Sequence, residues 1–498
     1  MADSDKKTKT SPDAKKSTLG ITVKKGEDMP EWYSQVVLKA KLADYSPIKG
    51  CMIIRPYGYS IWQSIQDYFN RVLKELKVEN AYFPLFIPES FFMKEAEHAE
   101  GFKPEVAWIE SKPAGDSEEN QERLALRPTS ETIMYDSYSR WIRSWRDLPL
   151  RINQWCNVVR WEVKDVKLFL RSREFLWQEG HCVYETEEQA DSEARMILDE
   201  YAKLAEELLA VPVIKGRKTE KEKFAGAKTT YTIEAFMPDG KALQMGTSHN
   251  LGQGFAKAFG IQFLGADEEY HYPWQTSWGF STRLIGSVVM VHGDDKGLVL
   301  PPRIAPVKVV IVPILFEDSR DEVLAKAQEI QDLLSEFEPV LDDRDEYSAG
   351  WKFNDWELKG VPIRIEIGPK DLAEEQAVIA RRDTGKKEFV KMKDLKEIVA
   401  QQLDDIQKSL LERARKFLDE STAEAANWSD FKELISQKKM VLAPFCCEVE
   451  CEDEIKSETQ GVTSRCIPLE KPRELQKDEK CFHCGKPAKE LVYFSRNY

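Results

Sequence analysis

Leu126-Arg127-Pro128-Thr129-Ser130-Glu131-Thr132, then Val158-Val159-Arg160-Trp161-Glu162, then Phe169-Leu170-Arg171-Ser172-Arg173-Glu174-Phe175-Leu176-Trp177-Gln178-Glu179-Gly180-His181 make up the stretch on which the fold turns. Arginines and glutamates alternate there with Val, Trp, Phe and Leu, the pattern of strands that hold charged side chains on one face of a sheet. Thr129 and Glu131 lie two apart, so an extended segment points both to the same face. There a hydroxyl and a carboxylate can accept hydrogen bonds from an amine, while Arg160 can take a carboxylate. Phe175 and Trp177 share a parity, and with His181 they either wall a small apolar cavity or form an aromatic pair of the core. Arg160 and Arg171 flank a hairpin, and Arg283 lies far downstream. The three suit a polyphosphate clamp, because a guanidinium fork matches phosphate geometry and stays charged at any working pH. They equally suit a lattice of ion pairs with Glu162, Glu174 and Glu179.

At 498 residues the chain should divide into two to four domains. A hydrophobic fraction of 42% is that of a folded protein, and no apolar run approaches the ~20 residues of a membrane helix. Met1-Ala2-Asp3-Ser4-Asp5-Lys6-Lys7 leads into no apolar segment, so neither a secretory signal nor a transit peptide is expected and the cytoplasm is the expected location. A net charge of −14 argues against indiscriminate coating of nucleic acid. Residues 1–25, rich in Lys, Ser, Thr and Asp, read as a disordered basic leader. There is no Walker loop, and Gly252-Gln253-Gly254-Phe255-Ala256-Lys257 fails the dinucleotide pattern at its last position.

Apolar spacing predicts an amphipathic helix over 60–77, followed by a buried, proline-interrupted strand over 81–88 whose prolines mark an edge or interface. A helix is expected over 188–210 and strands over 229–236 and 241–245. Residues 278–286 read as a strand end feeding a helix with Arg283 near its start, and 293–302 as a boundary loop. Beyond it, strands at 307–314, 340–342 and 361–367 alternate with a helix at 318–337, which argues a small α/β domain with a largely parallel core. A long helix over 394–420 hands over to a tail carrying six of the nine cysteines. Cys446 and Cys451 are spaced x4, and Cys481 and Cys484 x2, as a tetrahedral structural zinc requires; Cys447, Cys466 or His483 could replace a ligand.

Arg127-Pro128-Thr129-Ser130-Glu131, Arg160-Trp161-Glu162, Phe175-Leu176-Trp177-Gln178-Glu179-Gly180-His181, Gly246-Thr247-Ser248-His249 and Ser281-Thr282-Arg283, in that order, closely resemble prolyl-tRNA synthetase of the eukaryotic and archaeal type, a class II aminoacyl-tRNA synthetase. The resemblance runs from about residue 20 to Tyr498. It implies an α+β catalytic domain over 26–300, an antiparallel sheet with flanking helices in the class II synthetase fold. It further implies an α/β anticodon-binding domain over 304–405 and a small zinc-binding α+β C-terminal domain over 406–498. The implied reaction is ATP-dependent ligation of proline to the 3′ end of tRNA(Pro) through prolyl-adenylate, by a homodimer with no membrane contact, using Mg-ATP and a structural zinc held by Cys446, Cys451, Cys481 and Cys484. Arg160 and Arg283 look catalytic. Thr129, Glu131, Arg160, Phe175, Trp177, His181 and His249 correspond to the proline site, and Arg160, Glu162, Arg171, Ser172, Gln244, Thr247, Ser281 and Arg283 to the ATP site. The family often has threonine where Ser172 stands. The interval between His181 and Gln244 is too short for the editing domain that some bacterial relatives insert. Asp343-Arg344, Trp351-Lys352 and Gly368-Pro369-Lys370 are loop candidates in the anticodon domain, and Ser495-Arg496-Asn497-Tyr498 resembles a family ending whose terminal carboxylate approaches the active site.

Overall fold

The computed structural model describes residues 20–96, 105–109 and 122–498. Residues 1–19 of the expected leader lie outside them, but its last part is tied down: the Lys25 backbone N–H donates to Asp295 (2.8 Å) and its ammonium to the Gly293 carbonyl (2.7 Å).

An eleven-stranded mixed sheet organises the catalytic part. Its strands in chain order are β1 (Glu79–Asn80), β2 (Leu150–Val159), β3 (Glu174–Tyr184), β4 (Ile214–Arg217), β5 (Thr229–Phe236), β6 (Lys241–Gly252) and β7 (Trp274–Ser281), continued by four strands of the tail. The pairings from β4 through β5, β6, β7 and β3 to β2 are antiparallel, and β1 joins the far edge in parallel. Helices α1 (Pro56–Glu75), α3 (Glu187–Lys203) and α4 (Arg283–His292) contribute Ile61, Trp62, Ile65, Phe69, Ala194, Ile197, Tyr201, Leu284 and Val288 to the main core. The first is long and amphipathic, as its spacing predicts. Helix α3 starts on a capping box between Thr186 and Gln189, and its regular turns stop at Lys203, where a wider π turn carries the chain through Leu208 instead of the α-helix to 210 that periodicity suggests.

The 81–88 segment is not the buried strand that its apolar run suggests. Glu79–Asn80 pairs with β2, Phe86–Pro88 belongs to a separate three-stranded sheet, and Tyr82 is 73% exposed. Nor is 126–132 extended throughout: after Leu124–Leu126 the chain loops, and helix α2 (Glu131–Trp141) begins at Glu131.

Strands β8 (Val309–Pro313), β9 (Val340–Leu341), β10 (Ile363–Ile367), β11 (Gln376–Arg381) and β12 (Lys387–Lys391) form the second sheet in the order β9-β8-β10-β11-β12. The first three are parallel and the last two antiparallel, so the core is mixed rather than largely parallel. Helices α5 (Arg320–Leu333) and α6 (Leu395–Ser421) cover it. The second of these crosses the 405/406 boundary without interruption, packing on this core through Leu410 and on the tail through Phe417 and Leu418.

The tail is not a separate lobe. Its strands β13 (Thr422–Glu424), β14 (Met440–Phe445), β15 (Thr463–Pro468) and β16 (Glu490–Asn497) extend the catalytic sheet, β15 pairing with β4 and β16 lying parallel to the start of β6. It also has an aromatic core of its own in Phe431, Phe445, Phe482 and Phe494, more than its polar composition suggests.

Candidate active site

Strand register fixes one face of the sheet. His249 stands opposite Thr230 on β5 and Ser277 on β7, Ser277 opposite His181 on β3, and Glu179 opposite Gln154 on β2. Opposed residues share a face, and all of these except Gln154 line one cavity of about 330 Å³. Gln244 and Thr247 also line it, although three residues apart on one strand. A shift of register explains this: Ile233 faces Gly246 and Glu234 faces Gln244, which leaves Met245 unopposed as a bulge and returns Gln244 and Thr247 to the same side.

Glu179 is the hub of the floor. Its carboxylate accepts from the Ser130 N–H and hydroxyl, from the Gln154 amide (3.0 Å) and from His181, whose Nε2 lies 2.9 Å away. Burial opposes its charge, but the bonds from His181, Ser130 and Gln154 prevail and hold it below the usual carboxylate range. His181 is pushed the other way: burial favours its neutral form, yet the bond to Glu179 raises it above the ordinary histidine value. His249 is held down to about 3 by burial and then by the charge of His181, so it is neutral at physiological pH. Its Nδ1 lies 2.9 Å from the Thr230 hydroxyl, and its ring lies 4.8 Å from that of Phe224.

The Thr129 hydroxyl donates to the Glu131 carboxylate, and both line the cavity. They meet where the chain turns into α2 at Ser130, whose hydroxyl goes to Glu179, and not because the segment is a strand; a carboxylate in the first turn is favoured by the helix dipole. Arg127 of the same motif serves structure: its buried guanidinium donates to the Phe83 and Asn157 carbonyls (2.7 and 2.8 Å), fastening the loop to β2.

Arg160 leaves the end of β2 with its guanidinium 5.4 Å from the ring centres of both Phe175 and Trp177. Trp177 lines the cavity and Phe175 does not. The expected apolar wall is therefore a platform under Arg160. Burial lowers Arg160 from the ordinary arginine value, offset by Glu162, Glu131 and Glu179. Arg283 opens α4, its guanidinium donating to the Gln244 and Leu170 carbonyls (both 3.1 Å) while Ser281 accepts from its backbone N–H (3.2 Å). Burial first, then the positive field of Arg160, lowers it to about 10, with Arg171 adding to the same effect. Among the described residues no carboxylate lies within 4.0 Å of the guanidinium of Arg160, Arg171 or Arg283, although Glu174 and Glu179 find other partners. The alternative of an ion-pair lattice does not hold.

Thr129, Glu131, Arg160, Glu162, Trp177, His181, Gln244, Thr247 and His249 thus line one cavity, whereas Phe175, Arg171, Ser172, Ser281 and Arg283 stand outside its lining, with Arg283 touching the Gln244 backbone. Glu179, Thr230, Ser277, Trp278 and Gly279 complete it, together with Pro128, Glu222 and Phe224. Glu179 could have been found from its parity with His181, and Ser277 and Gly279 from theirs with Ser281. Thr230 needs the strand pairing, and Glu222 and Phe224 come from a loop with no periodic signal.

Cys446, Cys451, Cys481 and Cys484 gather with all four sulfurs within 4.8 Å of one another. Two of the separations are 3.9 Å (Cys451–Cys481) and 3.6 Å (Cys446–Cys484), close to the ~3.8 Å edge of a tetrahedron with 2.3 Å zinc–sulfur bonds. The donor set fits zinc. Of the alternative ligands, Cys466 packs against Gly216, Cys447 stays outside the cluster, and the His483 Nδ1 sits 3.3 Å from Cys451. At the C-terminus the Tyr498 hydroxyl donates to Asp239 (2.6 Å), with Arg496 and Asn497 beside Lys241 and Ala242.

Residues 108–292 match the tRNA synthetase class II core domain (G, H, P, S and T), 308–402 the anticodon binding domain, and 428–498 the prolyl-tRNA synthetase C-terminal domain. The chain is 53% identical to a proline–tRNA ligase of Alkaliphilus oremlandii, the alignment covering 95% of this chain and 96% of that one. It is 51% identical to one of Natranaerobius thermophilus (95% and 97% covered), and 50% to proline–tRNA ligase 2 of Bacillus cereus (97% and 100%). These relatives are bacterial and give no support to the narrower eukaryotic and archaeal label.

Proposed function

The chain belongs to the proline–tRNA ligases, class II aminoacyl-tRNA synthetases, and on that premise we propose how its cavity is divided between the substrates. The enzyme ligates proline to tRNA(Pro) at the expense of ATP, through prolyl-adenylate. Proline occupies the end lined by Thr129, Glu131, Trp177, His181 and His249. The Glu131 carboxylate and Thr129 hydroxyl take the secondary ammonium, and neutral His249 backs the ring without adding charge. Arg160, seated on Phe175 and Trp177, reaches both the proline carboxylate and the α-phosphate. Gln244, Thr247 and Glu162 border the nucleotide, with Arg171, Ser172, Ser281 and Arg283 toward its distal phosphates.

Proline and Mg-ATP bind side by side, so the attacking carboxylate oxygen meets the α-phosphorus without a bimolecular encounter. Arginine charge, pre-set and not tied up in direct ion pairs with protein carboxylates, balances the charge on the departing pyrophosphate. The 3′ hydroxyl of the tRNA then displaces AMP from the acyl carbon. Each missing methylene is worth only about 1–3 kcal/mol, so discrimination against alanine, two carbons smaller than proline, is limited.

The three guanidinium groups beside the cavity, with no carboxylate within 4.0 Å among the described residues, carry this reading. Proline-dependent exchange of pyrophosphate into ATP tests it: Arg160→Ala should lower exchange about 100-fold or more, and wild-type exchange in that variant would refute the role.

We assign zinc to the four-cysteine cluster, as a structural ion that ties together the segments bearing them. Recognition of tRNA is assigned to the second sheet's domain, where Tyr347 and Trp351 stack at 3.8 Å with Arg344 over both, a surface suited to an unstacked base. A homodimer is supported by Tyr82, Phe86, Trp141 and Trp145, large apolar side chains exposed around the short sheet and α2. No helix among the described residues is long and apolar enough to cross a membrane, and we place the reaction in the cytoplasm, where its substrates occur.

A further inference from the structure

A second irregularity of strand pairing lies in the tail. Along β15 and β16, Ser464 faces Phe494 and Cys466 faces Tyr493, so Arg465 is the unopposed residue of a bulge. Bulges redirect side chains, and this one sends Arg465 into the catalytic sheet. Its guanidinium, 4% exposed, donates to one oxygen of Glu234 through Nε (3.1 Å) and Nη2 (2.8 Å). Glu234 itself is fully buried. Its other oxygen accepts from the Lys218 ammonium and the Thr232 hydroxyl, both at 2.8 Å, and Lys218 also donates to the Arg465 carbonyl at 2.8 Å. Burial alone would keep Glu234 protonated, but Arg465 and then Lys218 hold it at about 2, so it is ionised at every working pH.

Glu234 stands opposite Gln244, and Thr232 opposite Thr247, across the Met245 bulge that makes those two residues share a face. The Gln244 carbonyl in turn holds the Arg283 guanidinium at 3.1 Å. A buried ion network of this kind adds little net stability, because desolvation offsets attraction. What it supplies is a fixed direction for the groups it binds, here two strands that carry the nucleotide side of the cavity.

We propose that Arg465 of the C-terminal domain is a positioning residue for ATP: by clamping Glu234 across from the Met245 bulge it sets Gln244 and Arg283 for the nucleotide, while leaving the proline end untouched. Apart from Arg160, which meets both substrates from the end of β2, the proline contacts come from the start of α2, β3 and the far part of β6, which this network does not reach. The inference rests on the assignment of Gln244 and Arg283 to ATP made above.

The test is pyrophosphate exchange with the full-length enzyme, titrating ATP and proline separately for Arg465→Met, Arg465→Lys and Arg283→Ala. Arg465→Met should raise the KM for ATP about tenfold with the KM for proline within about twofold, and Arg465→Lys, which keeps the charge but not the fork, should recover part of the loss. If Arg465→Met does not fold, a selective rise in the KM for ATP in Arg465→Lys decides the matter. Equal changes in both KM values, or a lowered Tm with both KM values unchanged, would overturn the proposal. Should Arg283→Ala raise the KM for ATP while the folded Arg465 variants do not, this inference alone fails; should Arg283→Ala leave it unchanged, the nucleotide assignment fails.

Discussion

The Nε2 of His181 lies 2.9 Å from a Glu179 carboxylate oxygen, both side chains at most 2% exposed, so the two titrate as a pair beneath the substrate cavity. Glu179, with a lowered pKa, contributes stability that is present above its unfolded value and is lost as pH falls through its folded one. His181, with a raised pKa, contributes stability that is complete below its unfolded value and is lost as pH rises through its folded one. The pair is therefore at full strength between about pH 4.3 and 6.5, the ordinary values of the two groups. Urea unfolding of the wild type and Glu179→Gln across pH should show a gap of roughly 3 kcal/mol in that window, narrowing at higher pH. A gap that does not vary with pH would contradict the ion pair.

Glu131→Gln removes the negative charge offered to the proline ammonium but keeps the size of the side chain. A hydrogen bond to a charged group is worth about 1.5–3 kcal/mol, so the KM for proline should rise about 10- to 100-fold, with the KM for ATP nearly unchanged. Exchange kinetics with each substrate varied in turn would show this; an effect on ATP alone would mean the two ends have been assigned in reverse.

Gly279 lines the cavity, and a β-carbon there would come 2.8 Å from the Gln178 carbonyl of the neighbouring strand. Backbone cannot yield as a flexible side chain does, so Gly279→Ala should cost about 1–3 kcal/mol of stability and also lower kcat/KM. Thermal unfolding and exchange measured on the same preparation would reveal it. Unchanged values of both would mean the strands are less closely held than this geometry implies.

Protein purified without chelator should carry about one zinc per chain, and Cys451→Ser should lose the metal and several degrees of Tm. Elemental analysis decides the first point. Absence of zinc from the wild type would leave the four thiols as a packing cluster.

Much of this arrangement is legible without coordinates. Strand Thr229–Phe236 has the bounds its alternation predicts, the strand-to-helix passage at Ser281–Arg283 is where the pattern places it, and the four cysteines assigned by their spacing are the four that meet. Local periodicity and spacing suffice there because each feature depends on residues near one another in the chain. The 81–88 segment shows the limit, since an apolar run with prolines reads as buried until the partners that fail to cover Tyr82 are known.

Residue identity by itself determined the chemistry: the arginines, the Thr129–Glu131 pair, the glutamate and histidine two apart on one strand, and the thiols. Tertiary structure alone decided which of them act together. Parity along a strand assigns Gln244 and Thr247 to opposite faces, and only the pairing with β5 reveals the bulge that puts them on one. Whether Arg160 and Arg283 are free for phosphate or spent on glutamates is likewise a matter of distances, because Coulomb and hydrogen-bond energies fall off within a few ångströms and chain order does not encode them. The union of the tail with the catalytic sheet, through β15, β16 and the Arg465–Glu234 contact, joins residues more than two hundred positions apart and has no counterpart in any local pattern.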